Sequence, residues 1–291
     1  MNDQGAGFVA GAIDLYVHAE PDLIPRHCDD VELAGRLAAA GYAAAVHRNH
    51  FSPTAERARL AARATGFDMH GAILVHDFAG GMNPGVVELA LRMGAVWVGM
   101  PTLGARRFRG RLTAMPEDIR TVLGRGRAVD VVDENGRLLP AVHTVLDLAR
   151  EHRAVVATGY LQKTELAAVV RAAVEHGVER IVLSNPLSAA MGLTPAEVGE
   201  IMTMGEVVLE QSVYQHLPGP NPAAATLADC AALVRSVGVA RAVLSSDGGI
   251  ATAAPPQVLL AQGCAAFLDA GFDATDVRRL VRDNPAALIG R

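Results

Sequence analysis

The stretch Ala12–Asp22, AIDLYVHAEPD, decides how the chain is read: β-forming residues run into Asp14, Tyr16, His18, Glu20 and Asp22, so a polar or ionisable group recurs at every second position. In a strand, residues two apart share a face. The alternation predicts a strand over 12–18 that presents a carboxyl, a phenol and an imidazole on one side. If that side is the inside of a barrel, the three groups stack at its mouth.

The same unit returns along the chain: an apolar run ends in polar or small residues, and after a loop an Ala/Leu/Arg/Glu-rich amphipathic segment closes in Gly. Strands are expected near residues 12–18, 43–48, 71–76, 95–100, 154–159, 180–184, 206–211 and 242–247. Runs such as GAILV and RIVLS are apolar throughout, which suits parallel strands covered on both faces. Between them, DDVELAGRLAAAG sets Val31, Ala34 and Leu37 on one helical face and stops at Gly41. NPGVVELALRMG opens with Asn83 as a cap and Pro84 at the first helical position, and stops at Gly94. TELAAVVRAAVEHG and TLADCAALVRSVG repeat the pattern.

Eight such units predict an α/β fold, a (β/α)8 TIM barrel forming one domain over residues 1–291, with a doubly wound open sheet as its rival. Two departures are expected: a longer insertion after strand four over 106–141, with a small hairpin around DVVDENGRLLP, and C-terminal helices in DATDVRRLVRDNPAALIG.

A chain of 291 residues, 51% hydrophobic, can fill a barrel-sized core. Its 31 acidic and 26 basic residues are mixed along the sequence, so nothing concentrates positive charge for nucleic acid or a membrane surface. Lys163 is the only lysine, which removes any scheme needing a Schiff-base or carboxylated lysine elsewhere. Cys28, Cys230 and Cys264 lie far apart, match no zinc spacing, and read as reduced interior thiols of a cytoplasmic protein. The first seven residues are not a basic-then-apolar signal, and no apolar run reaches membrane-spanning length. The expected partner is a small-molecule substrate, with no nucleic acid and no membrane, and Ala-rich helix faces are compatible with a homodimer.

In such a barrel the reaction centre lies at the C-terminal ends of the strands. Those ends read Asp14, Tyr16 and His18; Arg48, Asn49 and His50; His76 and Asp77; Thr102; Thr158 and Tyr160; Ser184 and Asn185; Glu210, Gln211 and Ser212; and Ser245, Ser246 and Asp247. Polar groups converging on one end point to a ligand or reaction centre. Asp247, before two glycines, is a catalytic or metal-binding carboxylate or else a turn former. Arg48 offers a bidentate fork to an anion, or else pairs internally with Asp14 or Glu210. Neither GGMNPG nor SDGG follows a phosphate-loop pattern.

The order and spacing of DLYVH, TGY, LSNP and LSSDGG resemble the amidohydrolase superfamily of metal-dependent barrel hydrolases. RNHFSPTAERARL, GGMNPGVVELALRMGAVWVGMPT, NGRLLP and RDNPAALIG are similar to a cytosolic group within it, and the resemblance covers residues 12–291. It implies His-x-His on the first strand, one His after each of strands five and six, and an Asp after strand eight. Those positions carry Tyr16 and His18, Tyr160, Asn185 and Asp247, and nothing on strand four matches the bridging ligand. With only His18 and Asp247 retained, the resemblance implies a degenerate metal site lacking the inherited binuclear centre.

The residues leave three readings open. In the first, an acid/base enzyme (hydrolase or lyase) uses His18 or His50 as base, Asp247 to orient it, and Tyr160 or Tyr16 as acid. Arg48, Tyr16, His76, Asn185, Glu210 and Thr102 then contact a small anionic or carbonyl-containing metabolite that undergoes ring opening, cyclisation, dehydration or hydrolysis. In the second, His18, His50, His76 and Asp247 hold one relocated divalent ion, Zn or Mn, for metal-dependent hydrolysis. In the third, the barrel binds a metabolite without turning it over.

Overall fold

Eight short strands form one parallel sheet in the order β1 to β8: Ile13–Val17, Ala44–His47, Met69–Leu74, Ala95–Gly99, Val155–Ala157, Ile181–Ser184, Val207–Ser212 and Ala242–Ser245. The computed structural model describes residues 5–109, 117–217 and 225–291. A parallel bridge between Val17 and Gly248 closes β1 against β8, and the His18 amide donates to the Gly248 carbonyl at 2.9 Å. The result is the (β/α)8 barrel that the repeated units predict, not the open sheet.

Two apolar layers hold it. Ile13, Leu15, Val46, Leu74, Trp97 and Val243 fill the interior. Val17, Val98, Val156, Leu183, Leu209 and Leu244 pack outward beneath the helices. Each fully buried aliphatic side chain of this kind contributes roughly 1.5–3 kcal/mol. Burial on both faces is why the strand sequences are continuously apolar.

The helix signals act where they stand. The Asn83 side chain accepts from the Gly85 amide at 3.0 Å with Pro84 at the first position of helix Pro84–Arg92. Thr194 and Thr226 form capping boxes with Glu197 and Asp229 at helices Pro195–Met202 and Leu227–Val237. In helix Asp30–Ala39 the buried face is Leu33, Ala34 and Leu37, whereas Val31 is 44% exposed. The expected face was rotated by one position, because Val31 sits in the first turn, outside the stripe that meets the sheet.

The first strand departs from strict alternation. Its pairing with β2 shifts register between Asp14 and Val17. Ile13 and Leu15 point into the barrel and Val17 outward, so the strand carries one extra residue and Asp14 parts from the other two. Tyr16 and His18 reach the mouth, while the Asp14 carboxylate turns back to accept the amides of Tyr16 at 3.1 Å and Ser246 at 3.0 Å. The shared face read from the sequence therefore holds for Tyr16 and His18 and fails for Asp14.

The insertion after β4 contains helices Arg106–Arg109 and Glu117–Arg125, and its residues 110–116 lie outside the described part. The expected hairpin reduces to a single antiparallel bridge, Val132 to Leu138, around a turn whose Gly136 has φ +74°. At the other end, helix Ala274–Arg278, a π-helical turn Arg279–Asp283 and helix Asn284–Ile289 complete the chain. Leu288 and Ile289 join the interior cluster, closing the floor beneath Ile13 and Leu15.

Gly159 links β5 to Tyr160 at φ +59°, and a β-carbon there would strike the carbonyl oxygens of Met100 and Pro101. Gly159→Ala should therefore destabilise the barrel by about 3 kcal/mol or more, measured by urea unfolding, whereas Gly66→Ala, with open space around it, should cost less.

Candidate active site

His18 leaves the end of β1 with both ring nitrogens engaged. Its Nδ1 lies 2.6 Å from the Arg48 carbonyl oxygen, which only accepts, so Nδ1 carries the proton. Nε2 is then a bare lone pair, and it faces Asp247 Oδ1 at 3.1 Å. Two acceptors at that distance repel unless a proton lies between them, so the pair is built to hold one. Gln215 Nε2 donates to the other Asp247 oxygen at 2.6 Å. Burial raises the Asp247 carboxyl to about 6, opposed by the Gln215 hydrogen bond and the charges of Arg26 and Arg48. Burial and the charge of Arg26 lower His18 well below the usual imidazole range. Below about pH 6 that proton is held on the Asp247 side, and above it the carboxylate is free to accept one. Asp247 itself stands in left-handed backbone at φ +51°, uncommon for a residue with a side chain.

Behind this pair lies a buried ion pair. Arg48, on the loop after β2, donates from both terminal nitrogens to Glu210 on β7, at 3.1 and 2.6 Å. Its guanidinium is held between two aromatic rings, 4.0 Å from the centre of Tyr16 and 3.7 Å from that of Trp97. The internal partner left open by the sequence is thus Glu210 rather than Asp14. Arg48 reaches the mouth with its charge already matched, which changes what it offers a substrate from net charge to N–H donors.

On the next two strands the hydroxyl of Thr102 joins two imidazoles. His76 Nε2 lies 3.1 Å from the Thr102 amide and 2.7 Å from its hydroxyl oxygen, and His50 Nδ1 lies 2.9 Å from the same oxygen. Because His76 Nε2 accepts from an amide it is unprotonated, so the hydroxyl donates to it and His50 Nδ1–H donates to the hydroxyl. His50 is left with a free Nε2 lone pair. Burial lowers His76 to about 3, and burial with the neighbouring His18 and His76 lowers His50 well below 6.5. The rings of His18 and His50 are 5.3 Å apart, and those of His50 and His76 are 5.6 Å apart.

The remaining predicted residues surround a void of about 10 Å³, room for one water-sized centre, lined by Tyr16, Arg48, Thr102, Tyr160 and Asn185 among others. Tyr160 is hydrogen-bonded to Tyr16 and stacked on Phe108, and burial with the charges of Asp247 and Glu210 raises its phenol, which stays protonated. Asn185, at φ +42°, accepts the Ser212 amide on Oδ1 at 2.7 Å. All ten predicted residues are buried and meet at one end of the barrel. Others at the strand ends serve loops instead: Asn49 Oδ1 takes the Phe51 and Ser52 amides, and Asp77 takes the Arg127 amide.

Four neighbours were not singled out from the sequence. Trp97 covers Arg48, and Gln215 holds Asp247. Arg26 is paired with Asp22 at 2.7 Å, and buried His47 has Nδ1 3.1 Å from Asp30 Oδ1. Only Arg26–Asp22 left a local signal, its i, i+4 spacing. The relocated ion site is not assembled: among the described residues no three His, Cys, Asp or Glu side chains are placed to hold a metal. The Thr102 amide and hydroxyl occupy the His76 lone pair that an ion would need.

The fold and the position of this cluster define an eightfold α/β barrel with polar side chains gathered at the C-terminal ends of its strands. Similar architectures include a probable 2-pyrone-4,6-dicarboxylic acid hydrolase from Acinetobacter baumannii, at 12% identity and TM-score 0.60, covering 97% of this chain and 100% of the other. An amidohydrolase from Burkholderia multivorans matches at 13% identity and TM-score 0.58, covering 97% and 99%. A probable dipeptidase from Pseudomonas aeruginosa matches at 11% identity and TM-score 0.62, covering 100% and 98%. At these identities what is shared is the fold. Residues 11–210 match DUF6282, a family of unknown function, and the chain belongs to that family. No curated protein matches it.

Two stability effects follow from the geometry. A carboxyl raised from its unfolded value to about 6 stabilises fully at low pH and loses that contribution as pH climbs through 6. Asp247→Asn, which keeps a donor toward His18 Nε2, should therefore unfold later than the wild type near pH 8, by up to about 3 kcal/mol, with the gap closing toward about pH 4. Arg48→Ala strands Glu210 as a buried unpaired charge and should cost about 3–5 kcal/mol. Urea unfolding of both variants at the two pH values checks these expectations.

Proposed function

We propose that this protein is a small-molecule enzyme of the amidohydrolase type that works by acid–base chemistry, hydrolytically opening the ring of a small metabolite with an activated carbonyl, such as a cyclic ester. The observation that carries the reading is the His18–Asp247 contact: a bare imidazole nitrogen against a carboxyl raised to about 6, at the seam of β1 and β8. A base tuned close to neutral pH is suited to taking a proton from water and returning it to a leaving group.

The residues do not fit the binuclear centre that the fold implies. Asn185 spends its carbonyl oxygen on the Ser212 amide, and Tyr160 is held protonated. His18 and Asp247 alone are too few for a catalytic ion, which is normally held by three protein ligands. The metal site is in this sense degenerate, and the residues present act by proton transfer and hydrogen bonding.

Asp247 accepts the proton of a water molecule as its oxygen attacks the carbonyl carbon. His18 Nε2 steadies that proton, and the departing ring oxygen receives it when the carbon–oxygen bond breaks. Tyr160 donates a hydrogen bond to the reacting carbonyl, and His50 offers a second lone pair. General acid–base catalysis supplies typically about 10²–10⁴-fold, which suits a strained or cyclic ester better than an unactivated amide. The names of the structural neighbours, a probable 2-pyrone-4,6-dicarboxylic acid hydrolase and an amidohydrolase, support this class of chemistry.

The partner in this reading is a small metabolite, not nucleic acid or a membrane. No helix among the described residues is long and apolar enough to cross a membrane. Three buried free cysteines agree with the reducing cytoplasm.

A panel of five- and six-membered lactones, assayed by proton release with metal content measured in parallel, tests the proposal. Turnover should survive chelation with confirmed metal removal, and should fall as pH drops below about 6, where Asp247 is protonated. His18→Ala and Asp247→Asn should each lower kcat by about 10²-fold or more with smaller effects on KM. Loss of activity on chelation with full return on adding one dication would refute the metal-free mechanism. Retained ligand binding with no turnover of any substrate would make the barrel a binder.

A further inference from the structure

Two buried donors at the mouth have no acceptor. The Asn185 amide is oriented by the Ser212 N–H, which donates to Oδ1, and its Nδ2 is left buried without a hydrogen-bond partner. Arg48 spends its terminal nitrogens on Glu210, and its Nε–H is likewise buried and unpaired. A buried donor left unsatisfied is destabilising, and Asn185 also stands in left-handed backbone, φ +42°. Such costs persist where surrounding structure enforces them for use. Both residues line the same void, which has space for about one oxygen atom, with Tyr16 and Tyr160 on its wall.

We infer that Asn185 Nδ2 and Arg48 Nε form a cradle for the carbonyl oxygen of a neutral cyclic ester or amide, at the void walled by Tyr16 and Tyr160. The inference rests on the acid–base reading above and names the group that this site polarises. The charge of Arg48 is matched by Glu210. The cradle thus offers donors without net charge, which suits an oxygen that is neutral in the bound substrate and gains negative charge during attack. When water bonds to the carbonyl carbon, its proton passes to Asp247 and the carbonyl π pair moves onto the cradled oxygen. When that pair returns, the ring bond to oxygen or nitrogen breaks and the leaving atom takes the proton back. No oxidant or reductant is needed.

The probe is δ-valerolactam labelled with ¹³C at the carbonyl, a slowly reacting analogue of a six-membered lactone, added to the full chain and followed by isotope-edited infrared difference spectroscopy. The bound carbonyl band should lie below its position in water. Asn185→Asp keeps the oxygen that holds Ser212 and tolerates the left-handed backbone, but removes the donor. It should lose the shift and weaken lactam binding by about tenfold or more. If that variant fails to fold by circular dichroism, Asn185→Gly takes its place, since glycine accepts the same backbone. Asp247→Asn should bind the lactam within about twofold of the wild type, because it leaves the cradle intact.

An unshifted band, absence of lactam binding by the wild type, or equal binding by the folded Asn185 variant would overturn the cradle. An Asn185-dependent shift in a protein that hydrolyses no lactone would leave the cradle standing and reject the hydrolase reading alone.

Discussion

The mouth of this barrel is organised around one buried ion pair, Arg48 with Glu210. A guanidinium cannot shed its charge in a protein, so wherever it is buried the surroundings must supply a carboxylate and polarisable neighbours. Glu210 supplies the first, and the rings of Tyr16 and Trp97 the second. That requirement fixes four strands relative to one another, because the participants come from β1, the loop after β2, β4 and β7. The Arg48 carbonyl then sets the tautomer of His18 by accepting a hydrogen bond from its Nδ1–H. One residue thereby joins the electrostatic frame of the mouth to its proton chemistry.

The seam between β1 and β8 carries the cost of this arrangement. Asp14 spends its carboxylate on the amides of Tyr16 and Ser246, holding the irregular end of β1 against the loop that presents Asp247. Burial raises Asp14 to about 6, as it does Asp247, so both groups favour their neutral forms under conditions where an exposed carboxyl would be ionised. Asn185 and Asp247 add two of the three left-handed residues other than glycine among those described. Strain, raised carboxyls and unpaired donors coincide at the strand ends, where a barrel places its chemistry.

Much of this was legible in the chain. Strand positions followed from continuous apolar runs and one helix start from Asn83–Pro84, because these signals act within a few residues of where they stand. The ten residues expected at the mouth do meet there, since a parallel barrel sends every strand's C-terminal end the same way. What those residues do with one another was not legible. Whether Arg48 met Asp14 or Glu210 depended on the stagger of strands far apart in sequence. The irregularity that turns Asp14 away from Tyr16 left no mark in an alternation that read as regular. Val31 showed the same limit on a helix, where one residue of rotation separates buried from exposed.

The sequence by itself determined the architecture and the end of the barrel at which polar groups gather, because hydrophobic period, caps and strand direction are local or repeated properties. Only the tertiary structure decided which partner each polar group takes, and so which are spent and which are left to act. Arg48 is neutralised by Glu210, His76 is tied to Thr102, His18 faces Asp247, and Asn185 keeps an amide with nothing to receive it. Hydrogen bonds and ion pairs reach only about 3 Å, so these choices wait until the closed barrel brings β8 to β1.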